Sequence, residues 1–386
     1  MKKLVTLALT LCCSVALWGQ QDHINFYNNP QANKENIKPF GTSVISPEVH
    51  PDRTVTFRLL APNAKEVSVS GTGPIKLTPM TKDDKGVWSV TVGPYEPNQY
   101  RYNFTVDGLK IIDPANTFVH PSAQPAFCLL YVPDDNGPTY YDPKTNVPHG
   151  SVTEHYYYSE VTKGVRELYV YTPPCYDRNK RYPVLYLMHG SGDDSETWYR
   201  EGRMNYIVDN MIAEGTLIPT IVVFTNNNVV NRGDPRHTEL AFPLVEQEMK
   251  QCILPLVDQN YSTINNRHAR AIGGLSMGGR MAQYVGLRNL DLFGSFGLFS
   301  SAIEFEETPD ILKDNFNDRV DYLFLGAGPD ETNDRARHQV MHNKFDDKGI
   351  KHEYVIAPTG AHNMISWKWL MYYHFLPHLW KNNYNF

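Results

Sequence analysis

Hydrophobic positions fall into three regimes along this chain. Leu4–Leu17 is almost continuously apolar behind Met1-Lys2-Lys3. From Thr54 to Val132 apolar and polar residues alternate in short runs, Val55–Leu60, Glu66–Val69, Val87–Val92 and Tyr100–Val106, separated by Ala61-Pro62-Asn63, Asp83-Asp84-Lys85-Gly86 and Asp107-Gly108. Period two with turns at this spacing predicts antiparallel strands, and so an all-β immunoglobulin-like sandwich over residues 40–134. Residues 135–150, rich in Pro, Asn, Asp and Gly, read as a linker.

From Ser151 onward apolar strands alternate with helical patterns. Strands are expected at Arg166–Thr172, Tyr182–Met188, Thr220–Thr225, Ala269–Leu275, Phe293–Phe299, Val320–Leu325 and His352–Ile356. Helices are expected at Met204–Ile212, Phe242–Gln259, Met277–Arg288, Thr332–Lys348 and Met364–Leu379. Near-continuous apolar strands with helical crossovers predict an α/β domain over 151–386, its mostly parallel sheet covered by helices on both faces. In such a sheet the site lies at the carboxyl ends of the strands.

The basic start and short apolar core of the first regime predict a secretory signal over residues 1–20, followed by a segment to residue 39. The run is too short for a membrane span, and no other segment is apolar for long enough. Cys12 and Cys13 lack the small preceding residue of a lipid-anchored leader, so a secreted or periplasmic protein is expected. The net charge is −6, or −8 without Lys2 and Lys3, which argues against a nucleic-acid partner. Cys128, Cys175 and Cys252 are too scattered for a disulfide framework and read as small buried hydrophobes.

The chemistry centres on Gly274-Leu275-Ser276-Met277-Gly278, which joins an expected strand to an expected helix. A G-x-S-x-G at that junction is a nucleophile elbow: the serine sits on a sharp turn, and residues two away must lack side chains. Such a serine needs a base, and the base needs an acid to orient it, in chain order serine, acid, histidine. Among the downstream histidines, His362 alone lies in a loop directly after an expected strand. The acid falls in Ala327-Gly328-Pro329-Asp330-Glu331, where Asp330 is the first choice and Glu331 or Asp334 the alternatives. For the oxyanion, the Met277 amide and a second donor at Gly190 or Ser191 are expected, in the glycine-rich loop after Met188. His189 reads as a brace for that loop. His338 and His342 are spaced i, i+4 on a helix without a third ligand evident in the sequence, and read as a solvated face. His374 and His378 read as packing residues. The scheme requires no metal or organic cofactor.

The catalytic half resembles the esterase D-like group of α/β-hydrolases, and specifically the feruloyl and acetylxylan esterases of carbohydrate esterase family 1. The likeness rests on Tyr182–Gly190, Trp198, Ile218–Val223, Ala269–Gly279 and His362–Trp367. Such esterases often read His-Asp-Trp-x-x-Trp after the last loop; here Asn363 and Met364 stand at the second and third positions. Residues Val55–Ala64, Gly86-Val87-Trp88 and Asp113–Asn116 are similar to the E-set modules of carbohydrate-binding module family 48. Trp88, Tyr100 and Tyr102 are candidates for stacking on sugar rings, with core packing as the commoner role of such aromatics.

The resemblance implies a secreted esterase acting on feruloylated, or alternatively acetylated, plant cell-wall polysaccharide or oligosaccharide. Trp198, Trp367 and the Asn226-Asn227-Asn228 loop are then expected to line the cleft. An enterochelin-type siderophore esterase shares the layout but would favour a basic cleft for its polyanionic substrate. A glycan-binding protein with a degenerate hydrolase domain is the non-enzyme alternative.

Overall fold

The computed structural model describes residues 44–122, 126–301 and 315–381, the side chain of Asp334 excepted. The expected leader (1–20), with Cys12 and Cys13, and the segment to residue 39 lie outside the described residues. Contacts divide the chain into two units, one running to His120 and resuming over Pro125–Pro148, the other comprising Pro121–Gln124 and His149 onward.

The first unit holds β1 (Glu48–Val49), β2 (Val55–Leu60), β3 (Val67–Gly71), β4 (Thr78–Pro79), β5 (Thr81–Lys82), β6 (Val87–Val92), β7 (Asn98–Val106), β8 (Leu109–Ile111) and β9 (Cys128–Val132). They form two antiparallel sheets, β1-β2-β6-β5 and β4-β3-β7-β8, with β9 also paired to β7. The alternation puts Val55, Phe57 and Leu59 of β2 inside, with Phe57 packed on Tyr102 at 4.8 Å between ring centroids. Trp88, Tyr100 and Tyr102 are buried too, and each spends its polar atom inward: Trp88 Nε1 donates to Ala61 O, Tyr100 to Glu96 O and Tyr102 to Asp113. They are core, so none of the three offers a ring to a sugar. Residues 135–148, expected as linker, pack with this unit: Tyr141 is buried and its hydroxyl donates to Pro97 O at 3.2 Å.

The second unit is built on β10 (Ser151–Ser159), β11 (Gly164–Thr172), β12 (Val184–Met188), β13 (Ile221–Thr225), β14 (Arg270–Leu275), β15 (Ser295–Phe299), β16 (Tyr322–Ala327) and β17 (Glu353–Ile356). The sheet order is β10-β11-β13-β12-β14-β15-β16-β17, antiparallel from β10 to β13 and parallel thereafter. Every residue of β12, β13, β14 and β15 is buried, as strands covered on both faces require. Within this sheet, the strand without a place in the sequence-based scheme is β10. It is an edge strand with mostly exposed or half-exposed residues, so it carries no apolar run to betray it.

Helices α1 (Met204–Ala213), α2 (His237–Glu248), α3 (Met277–Arg288), α4 (Thr332–Asp347) and α5 (Met364–Leu370) supply the crossovers and the last layer. Beyond α2 and α5 the backbone widens into π-turns, Met249–Ile253 and Met371–Phe375. Each turn is followed by a proline, Pro255 or Pro377, which has no N–H to return to the carbonyl four residues back. At the carboxyl edge of the sheet, β12, β14, β15, β16 and β17 deliver His189, Ser276, Ser300, Glu331 and His362 to one place.

Candidate active site

Ser276 leaves β14 and enters α3 with φ 53° and ψ −122°, a conformation an L-residue holds only when its surroundings impose it. The surroundings are glycines in mutual contact. A Cβ on Gly274 would lie 2.5 Å from the Gly278 carbonyl, and one on Gly278 would overlap the carbonyl oxygens of Met188 and His189. The elbow is therefore held against β12 by the two residues that have nothing to collide.

From Ser276 a hydrogen-bonded chain runs inward. Ser276 Oγ lies 2.8 Å from His362 Nε2, and His362 Nδ1 lies 2.9 Å from Glu331 Oε2. Because the carboxylate can only accept, Nδ1 carries the proton and Nε2 presents its lone pair to the serine. Glu331 is 5% exposed, and its other oxygen accepts from Ser300 Oγ and from the Gly328 amide, both at 2.6 Å. Burial pushes the Glu331 pKa up, but the bonds from His362, Ser300 and the Gly328 amide outweigh it, and the carboxyl lies below its ordinary value.

The acid on the imidazole is thus Glu331 and not Asp330. The turn Gly328–Glu331, closed by the Glu331 amide on Gly328 O at 3.4 Å, points residue 331 inward and leaves Asp330 exposed. Strand and loop were placed correctly from the sequence; the turn phase that decides between adjacent carboxylates was not legible there.

Trp367 was expected in the cleft but is 3% exposed. Its Nε1 donates to Ser300 Oγ at 2.6 Å, and its ring meets that of His362 edge-on at 5.1 Å between centroids. It holds the base and the acid's partner instead of touching substrate. Trp198 is 1% exposed and bonds Met188 O at 2.9 Å, so it packs the base of the sheet edge. Asn227 is also buried: its side chain spans the His189 backbone, donating to His189 O at 2.8 Å and accepting from His189 N at 3.2 Å. Asn226 is tied to Glu167 and caps the Asn228 amide. Neither asparagine lines the cleft described below.

His189 is sealed in this brace. Its Nε2 accepts from the Asn227 amide at 3.1 Å, which leaves Nδ1 to donate to Gly190 O at 2.9 Å. Burial pushes its pKa down to about 4, so it stays neutral and rigid. The braced loop carries Gly190 against the nucleophile, where a Cβ would stand 3.5 Å from Ser276 Cβ. Met277, first residue of α3, has an amide that the helix leaves unpaired.

A cleft of about 260 Å³ opens over these groups, lined by Ser191, Ser276, Met277, Arg280, Ser300, Ser301 and Arg337. The sequence reading missed both arginines. Arg280, one turn after Ser276 on α3, lies over the Phe242 ring at 5.5 Å; Arg337 comes from α4. Behind the cleft His338, read as solvated, is fully buried, and its Nε2 accepts the Ser301 amide. Burial lowers its pKa to about 4, with Glu331 opposing and His362 adding to the effect. His374 pairs with Glu353 at 2.8 Å and stacks on Phe324, as a packing residue would. Cys128 and Cys252 are buried, whereas Cys175, expected inside, is exposed.

Comparison with known proteins finds matches for both parts of the chain. Residues 159–372 match the family described as "Putative esterase", and residues 39–123 match carbohydrate-binding module 48, the isoamylase N-terminal domain. An endo-1,4-beta-xylanase/feruloyl esterase of Xylanibacter ruminicola is 31% identical over 332 residues, covering 83% of this chain. The chain spans only 44% of that relative's length. A ferulic acid esterase of Anaeromyces mucronatus, solved with ferulic acid, superposes with a TM-score of 0.56 at 21% identity, over 63% of this chain and 94% of its own. The enterobactin esterase of Shigella flexneri superposes with a TM-score of 0.63 at 19% identity, over 85% and 93%. Both likenesses identify the α/β-hydrolase fold.

Proposed function

The chain belongs to that esterase family, and from this premise we propose that it is a secreted serine esterase that removes acyl groups, feruloyl foremost, from plant cell-wall hemicellulose. The observation that carries the chemistry is the 2.8 Å contact between His362 Nε2 and a Ser276 held on a strained elbow. In the proposed reaction Ser276 Oγ attacks the ester carbonyl carbon as its proton passes to His362 Nε2. The amides of Met277 and of Gly190 or Ser191 receive the oxyanion, Met277 with the positive end of the α3 dipole behind it. The carbon–oxygen bond to the sugar breaks, and His362 returns the proton to the departing hydroxyl. Water then attacks the acyl-enzyme, giving its proton to His362, which reprotonates Ser276. Glu331 stays ionised throughout and stabilises the imidazolium.

The feruloyl preference draws on the named activity of the Xylanibacter ruminicola relative, and secretion on the basic and apolar start of the chain. One experiment tests chemistry and substrate together: rates of the wild type and Ser276→Ala on methyl ferulate, acetylated xylan and short p-nitrophenyl esters. Ser276→Ala should lose turnover of all three. Unchanged rates in that variant would remove the mechanism, and acetyl preference in the wild type would replace feruloyl with acetyl.

Arg280 and Arg337 favour a second reading, an ester whose acid or alcohol carries negative charge, such as a catecholate. A guanidinium in the lining of a cleft, as Arg280 supplies, raises the local concentration of anions even on a protein of net charge −6. Faster turnover of an anionic catecholate ester than of methyl ferulate, with a steep salt dependence, would select it.

A further inference from the structure

The last two turns of α4 and the residue just before β17 bring together His342, Asp346 and His352. Their ligand atoms all lie within 4.8 Å of one another. His342 Nδ1 is 2.8 Å from His352 Nε2, and His342 Nε2 is 3.5 Å from Asp346 Oδ2. In the sequence His342 pairs with His338 at helical spacing. The structure buries His338 behind the cleft and gives His342 two other partners.

Proton bookkeeping makes the cluster unusual. His352 Nδ1 lies 2.8 Å from Ile350 O, an atom that can only accept, so Nδ1 holds the proton and Nε2 is a bare lone pair aimed at His342. His342 thus faces a lone pair on one side and a carboxylate on the other, and a neutral imidazole has only one N–H to offer them. A divalent cation satisfies all three acceptors at once. A histidine whose second nitrogen is fixed by a backbone carbonyl is the arrangement that orients metal ligands. The rings are also held: Tyr354 lies under His342 at 4.9 Å and Phe345 meets His352 edge-on at 5.0 Å.

We propose that His342, Asp346 and His352 form a zinc-class metal site that ties the end of α4 to the start of β17. Two imidazoles and one carboxylate suit Zn²⁺ and its neighbours, not the all-oxygen shells of Ca²⁺ or Mg²⁺. With Zn–N bonds of about 2.0–2.1 Å in a tetrahedral site, the two nitrogens would separate to about 3.3 Å, a small opening from the pair as it stands. Asp346 is exposed, so water completes the shell. The helix so anchored begins directly after Glu331, and the strand leads to the His362 loop. The site therefore acts by fastening the elements that carry acid and base, and takes no part in the reaction.

The test is zinc sulfate titrated into the metal-stripped full chain, read by calorimetry and by thermal unfolding. One Zn²⁺ per chain should bind, with Tm raised by about 5 °C or more at a hundredfold excess over Kd. His342→Gln and His352→Gln should lose that shift. Asp346→Asn, at an exposed position, leaves the fold intact and should weaken binding about tenfold. Turnover of p-nitrophenyl acetate at low temperature should be the same with and without zinc. No Tm shift in the wild type, an equal shift in Asp346→Asn, or unchanged stoichiometry in the histidine variants would overturn the site.

Discussion

Glu331→Gln is the substitution that most directly tests which carboxylate serves the histidine. Glutamine keeps the shape of glutamate, so the question is which way its amide turns. The inner oxygen of Glu331 receives two donors, Ser300 Oγ and the Gly328 amide, each at 2.6 Å, while Trp367 already donates to that same Ser300 Oγ. An NH₂ placed there would oppose the Gly328 N–H. The glutamine oxygen therefore stays inside, and its NH₂ faces His362 Nδ1. That donor forces Nδ1 to accept, moves the ring proton to Nε2, and removes the lone pair that Ser276 needs. The charge that stabilises the imidazolium is lost as well.

The expected fall in kcat is about 10³–10⁴, equivalent to roughly 4–5.5 kcal/mol of transition-state stabilisation. Asp330→Asn, at an exposed position, should stay within about twofold of wild type. The assay is kcat on p-nitrophenyl acetate for both variants, with Tm measured alongside. Loss of charge from a buried bonded group should also cost roughly 1–3 kcal/mol of stability. If a folded Glu331→Gln stays within tenfold of wild type, or if Asp330→Asn is the one that falls a hundredfold, the tautomer argument is wrong.

Gly278→Ala puts a methyl group onto the Met188 and His189 carbonyls, so it should displace the elbow, lowering Tm and cutting kcat more than a hundredfold. Stability should decline as pH falls from 6.5 to 4. The unfolded chain protonates His189 and His338 in that window while the folded one, with both near 4, does not, a slope of roughly 1.4 kcal/mol per unit for each. Urea midpoints across pH 4.5–7.5 check this, and a flat profile would contradict the neutral buried rings. Glu331, its pKa lowered, adds a loss at still lower pH, as its carboxylate is protonated. Arg280→Gln should lower kcat/KM about fivefold for an ester bearing a carboxylate or catecholate, with p-nitrophenyl acetate within twofold, an effect of about 1 kcal/mol at an exposed site. Equal losses on both substrates would assign Arg280 to packing on Phe242.

What the sequence disclosed follows from which signals are periodic. The buried strands β12 to β15 declare themselves as apolar runs, and α3 begins at Met277 because the glycine spacing around Ser276 fixes its start. The edge strand β10 has one face in solvent and no such run. The aromatic residues all fall on the packing side of their two readings. Trp198, Trp367, Trp88 and Tyr102 were all candidates for ligand contact, and all are buried with their polar atoms bonded inward. A large ring with one donor suits a core beside an unpaired carbonyl or hydroxyl as well as it suits a ligand, and sequence does not separate the two.

Charge misleads for a different reason. The net value of −6 averages over 386 residues and speaks to solubility and nonspecific partners. A substrate meets the few side chains around the nucleophile, and there two arginines line the wall with Ser276. Arg280 was in principle readable, since residue i+4 of an elbow serine lies one turn along the helix whose first residue follows the nucleophile. Arg337 was not, because its place depends on how α4 packs after the Glu331 turn. The same turn chose Glu331 over Asp330, so one local geometry sets both the acid of the site and the second positive charge at its mouth. A change that re-phased the turn Gly328–Glu331 should therefore alter catalysis and substrate charge preference together.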